Sequence, residues 1–118
     1  MAKGVLVIGW GPSVRGRERQ SLQVFQQAMA FIERMQQSGR IDSFEPVALE
    51  PHGGELEGFV LIKGDADKLA QLRIDQEFVS LNTRAQLVVE NFGVVGGVYG
   101  AEMQALFADF EKAAGELA

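Results

Sequence analysis

His52 is the only histidine in this chain of 118 residues, and no cysteine accompanies it. It is therefore the one side chain whose ordinary pKa suits proton transfer near neutral pH. Glu50 and Glu55 flank it and can orient the ring or share a metal, but Pro51-His52-Gly53-Gly54 reads as an exposed hairpin turn. One histidine per chain is too few for a zinc site or a facial triad unless two copies contribute. The absence of cysteine removes disulfides, thiolate nucleophiles and iron–sulfur clusters.

A second constellation is Gly11-Pro12-Ser13-Val14-Arg15-Gly16-Arg17-Glu18, which spaces two glycines as a phosphate loop does. Arg17 stands where the lysine belongs and Glu18 where the magnesium-binding hydroxyl belongs, so nucleotide hydrolysis is not expected. What survives is a basic group, Arg15, Arg17 and Arg19, able to hold a small carboxylate or phosphate; a solvated basic loop accounts for the same residues. Asp65-Ala66-Asp67 begins like a calcium loop. Leu69, Ala70 and Gln76 occupy positions that need a ligand, a turn glycine and a bidentate glutamate, so a helix cap is the reading.

Ring-bearing and polar residues near strand ends form a third set. Trp10 and Tyr99 each close a strand and are expected to meet at one mouth of the sheet, with Phe92 nearby. Aromatic rings with polar tips suit a small-molecule pocket, and core packing suits them equally. Arg84 can pair with Glu77 or Glu90. Asn91 falls inside an expected strand, where its amide must be hydrogen-bonded if buried.

Composition bounds the rest. The chain is 47% apolar and 23% charged with a net charge of −5, ordinary for one globular domain of residues 1–118 and repulsive to a phosphate backbone. Nucleic acid is not an expected partner. The run Val5 to Trp10 is too short for a signal core or a membrane span, which points to a cytoplasmic protein with no membrane partner. No cofactor is implied by any pattern in the chain.

The elements that position these groups follow from periodicity. Gly4 to Ile8 and Gly58 to Ile62 are apolar on both faces, and lie 54 residues apart. The first leads into a long amphipathic helix carrying Leu22, Phe25, Met29, Ile32 and Met35, stopped at Gly39. Ile41 to Leu49 predicts a second strand, at a sheet edge because Pro46 cannot donate to a ladder. Leu56 to Lys63 predicts the third, joined to the second as a hairpin. Asp65 or Asp67 and then Asp75 cap helical stretches through Leu69, Leu72, Ile74, Phe78, Leu81 and Ala85. Leu87 to Tyr99 predicts a fourth strand with bulges at Gly93 and Gly96-Gly97. A last amphipathic helix places Met103, Leu106, Phe107, Phe110 and Leu117 on one stripe.

This order, strand, helix, strand, strand, helix, strand, helix, is the split βαβ arrangement of an α+β ferredoxin-like sandwich with an antiparallel sheet and an added C-terminal helix. It resembles the dimeric α/β-barrel superfamily, whose small uncharacterised members are similar in style over Gly64 to Gly100, with Asp75-Gln76-Glu77-Phe78, Arg84-Ala85 and Val88-Val89-Glu90-Asn91-Phe92-Gly93-Val94-Val95. The resemblance implies a homodimer made by stacking the open sheet faces. The expected function is binding of a small molecule at the sheet or dimer interface, by Trp10, Arg15, Arg17, Arg84, Asn91, Phe92 and Tyr99. The alternative is a cofactor-independent enzyme of the monooxygenase or isomerase type with His52 as its catalytic base.

Overall fold

The computed structural model describes residues 2–118. Its elements are β1 (Lys3–Trp10), α1 (Glu18–Gln37), β2 (Ser43–Ala48), β3 (Gly58–Asp65), α2 (Ala66–Arg73), α3 (Gln76–Val88), β4 (Gly93–Gly97) and α4 (Ala101–Leu117). The four strands form one antiparallel sheet in the order β2-β3-β1-β4. This is the expected α+β ferredoxin-like fold, with β1 and β3 central and Pro46 on the edge strand β2.

Register decides which face each side chain takes. Pairing of Leu6 with Ile62 and of Ile8 with Val60 puts four large aliphatics on one face, all buried. Phe31, Ile32 and Met35 of α1, Leu69 and Leu72 of α2, and Phe78 and Leu81 of α3 pack over them to complete the core. The opposite face carries Val5, Val7, Val47, Phe59 and Leu61, all partly exposed, together with Val95 at 60% exposure. The apolar alternation of β1 and β3 thus finds helices on one side only.

Caps explain where the helices begin. Asp65 ends β3 and its carboxylate accepts the Lys68 N–H at 3.2 Å, starting α2. Asp75 accepts from Glu77 and Phe78 N–H at 2.9 and 3.1 Å, starting α3. The pause at Ile74-Asp75 turns the chain, so Ile74 is 81% exposed and does not join the stripe expected of it. Along α1 the buried stripe is Phe31, Ile32 and Met35. Leu22 lies outside it at 57% exposure.

The fourth strand is shorter than its apolar run. Leu87 and Val88 are the last turn of α3, whose helical bonds reach Val89 N–H from Ala85 C=O at 3.0 Å. Asn91 is not in a strand: it takes φ +54° in the bend before β4, a conformation asparagine tolerates, and is exposed. Gly93, Gly96 and Gly97 pair in unbroken register with Gly9, Leu6 and Val5, so no bulge forms. The α4 stripe is present in the sequence but buries none of its residues.

Candidate functional site

Between the helix-covered face of the sheet, α1 and α3 lies a cavity of about 80 Å³. Ile8 and Val60 form its floor, Val24, Ala28 and Ile32 of α1 one wall, and Phe78, Leu81 and Ala85 of α3 the other. Trp10, Phe25 and Phe92 add aromatic surface, with the Trp10 and Phe25 rings edge to face at 5.6 Å between centroids. The polar residues of the lining are Trp10, Ser21 and Asn82, and no lining side chain is titratable.

The sequence builds this wall locally. The segment after β1 is zipped to the end of α3: Gly11 N–H donates to Glu90 C=O at 2.7 Å, Val14 N–H to Val88 C=O at 2.8 Å, and Glu90 N–H to Pro12 C=O at 2.9 Å. That zipper fixes Trp10 and Phe92 on either side of the same end of the cavity. Trp10 pairs with Gly58, and a Cβ on Gly58 would stand 2.6 Å from the indole ring, so the indole approaches backbone that carries no side chain. Ser13 Oγ–H donates to Ser21 Oγ at 2.9 Å, which holds the Ser21 hydroxyl in place. Asn82 and Trp10 are half-buried, and no side-chain hydrogen bond within the described residues engages either.

Of the residues expected from sequence, Trp10 and Phe92 line the cavity. Tyr99 does not meet Trp10. Antiparallel pairing of β1 with β4 sends the two strand ends in opposite directions, and the Tyr99 ring stacks on the Lys63 ammonium, 4.8 Å from its centroid, on the open face. Arg84 pairs with neither Glu77 nor Glu90; its guanidinium donates to Gln27 Oε1 at 3.2 Å, and Glu77 is taken by Arg34. Arg17 donates to Leu87 C=O at 2.7 Å, and the Gly16 N–H beside it is engaged by the Glu18 carboxylate at 3.1 Å. Arg15 and Asn91 are exposed. His52 is exposed on the β2–β3 loop with Nδ1 2.9 Å from Glu50 C=O, and lies outside the cavity lining.

Ser21 and Asn82 are the polar residues that sequence reasoning missed, and Asn82 carried a signal. It follows Leu81 on α3 and sits one turn above Phe78, so its place on the inner face was readable from the i, i+4 spacing. The groups with displaced pKa values are elsewhere. Hydrogen bonding from Phe78 N–H and then Arg40 holds the Asp75 carboxyl below its ordinary value; a hydrogen bond with Asp42 raises Lys3, and one with Glu77 raises Arg34. Among the described residues no cluster of three or more His, Asp or Glu side chains is placed to hold a metal. None of their helices is long and apolar enough to cross a membrane.

Comparison with known proteins places this geometry in a fold. No protein-family model matches the chain, and no curated protein sequence matches it. Solved structures do. A dimeric protein of unknown function with a ferredoxin-like fold from Bacteroides fragilis is 12% identical with a TM-score of 0.62, covering 84% of this chain and 98% of that one. A dimeric ferredoxin-like protein of unknown function from Jannaschia is 12% identical with a TM-score of 0.62, over 80% and 95%. A mutant of SnoaB, a cofactor-independent oxygenase from Streptomyces nogalater, is 15% identical with a TM-score of 0.58, over 86% and 94%. The chain shares the ferredoxin-like fold of these proteins, two of which are described as dimeric.

Proposed function

We propose that this protein is a homodimer that binds a small, largely apolar, ring-bearing molecule in the cavity between the sheet, α1 and α3. The observation that carries the reading is an apolar cavity with three polar residues, Trp10, Ser21 and Asn82, in its lining. Ligand sites are built this way, with apolar walls supplying affinity and a few polar groups supplying orientation. At about 80 Å³ the cavity is roughly half the size of one that admits benzene, so a single ring requires the aromatic end at Trp10 and Phe25 to open outward. Phe25, 37% exposed, is the ring at that end that faces solvent.

The test is titration of the full chain with single-ring phenols, followed through fluorescence of Trp10, the only tryptophan. Saturable quenching that Ala28→Leu abolishes supports the reading, because leucine adds three carbons at the cavity wall. Quenching that is absent, or equal in both proteins, contradicts it.

The fold shared with SnoaB favours a second reading, a cofactor-independent oxygenase acting in the same cavity. With no titratable side chain in the lining, a proton leaving the substrate would have to pass to water or to the substrate itself. Oxygen uptake in the presence of a bound phenol distinguishes this from binding alone.

A further inference from the structure

Among the described residues, no other element of the chain covers the terminal helix α4. Met103, Leu106, Phe107, Phe110 and Leu117 are 40%, 55%, 61%, 73% and 88% exposed, and α4 buries no residue. It packs substantially against no other element, and its side-chain link to the body is Glu102 accepting the Lys3 N–H at 3.3 Å. The radius of gyration is 16.4 Å, whereas a compact chain of this length has about 13.5 Å. Most of the stability of a helix in a protein comes from packing its apolar face, so the stripe of this 17-residue helix needs cover.

We infer that α4 is an exchanged helix, whose apolar stripe docks on a second copy of this chain as a continuation of the open sheet face. The inference rests on the homodimer reading above. Three observations select this occupant. Val95, Val98 and Tyr99 carry partly exposed surface from the open end of β4 directly to the start of α4, so a copy stacked on the open face also meets the helix. The area fits: five large side chains of about 150–200 Å² each at these exposures offer roughly 600 Å². Added to the sheet face this passes the roughly 800 Å² per partner of a stable interface. Charge excludes an anionic lipid surface, since Glu102, Asp109, Glu111 and Glu116 face a single Lys112 along the helix.

The test is sedimentation equilibrium of the full chain and of a Phe107→Glu/Phe110→Glu variant, with Lys112→Glu on the far side of the helix as control. The wild type and the control are expected to be dimers at micromolar concentration, and the double variant to dissociate at least 100-fold more readily with an unchanged melting temperature of the monomer body. A double variant whose dimer is within threefold of wild type overturns the inference while leaving the homodimer intact, whereas a monomeric wild type overturns both. Hydrogen exchange of the wild type supplies an independent readout: protection of residues 101–117 falls on dilution if the cover is a second copy. Protection that is independent of concentration places the stripe on its own body and overturns the inference, as does protection gained only on zwitterionic phosphatidylcholine vesicles.

Discussion

Trp10 occupies its place because Gly58, opposite it on β3, has no side chain. A methyl at Gly58 would meet the indole at 2.6 Å and Val47 C=O at 2.7 Å, neither of which can be relieved without moving the strand or the ring. Gly58→Ala is therefore expected to cost about 1–3 kcal/mol and to shift Trp10 emission, both measured in one urea titration; an unchanged midpoint and spectrum would contradict the packing. His52 lies on an exposed loop away from the cavity, so His52→Ala should leave phenol binding unchanged within a factor of two. Trp10 and Phe92 were legible as rings near strand ends that suit a pocket or core packing equally, and both line the cavity. Tyr99, Asn91 and Arg84 were not, since their sides depend on strand direction and on where α3 ends. Periodicity does not encode either.

Caps and short connections govern the elements. The lowered pKa of Asp75 means that its carboxylate contributes stability above the ordinary aspartate range, lost as pH falls through the lower folded value. Asp75→Ala is expected to destabilise the fold by about 1 kcal/mol at pH 7 and to flatten the stability loss as pH falls below the ordinary aspartate range. Identical acid limbs in urea melts of the two proteins would rule this out. Gly100 enters α4 at φ +62° and ψ −131°, a region open to glycine, and so fixes the direction in which the helix leaves the body. Gly100→Ala should weaken dimerisation without moving the melting temperature of the body. Most helices and the edge placement of Pro46 were readable from spacing and turn chemistry. The extended fourth strand was not, because Leu87-Val88-Val89 is apolar and includes two β-branched valines, yet closes α3 through a helical bond from Val89 N–H to Ala85 C=O.

At the scale of the whole molecule, two apolar surfaces remain uncovered among the described residues: the open sheet face, carried by the strands the sequence marks as greasy on each side, and the α4 stripe that follows β4. Such surfaces are larger than a lone chain in water ordinarily presents. Leu61 and Val7 sit opposite each other at the centre of the open face. Leu61→Lys should raise the dimer dissociation constant by at least tenfold, read by sedimentation, while leaving the helix-side cavity and its ligand affinity intact. The apolar pattern of β1 and β3 shows that both faces need cover; that α1, α2 and α3 all cover the same face is shown by the packed core.

The most direct measurement is native mass spectrometry of the full chain with a single-ring phenol, run beside Ala28→Leu. Two chains carrying up to one phenol each, with the phenol missing from the Ala28→Leu dimer, is the result this reading predicts. A dimer that takes up no phenol, or takes it up equally in both proteins, would contradict the cavity as a ligand site.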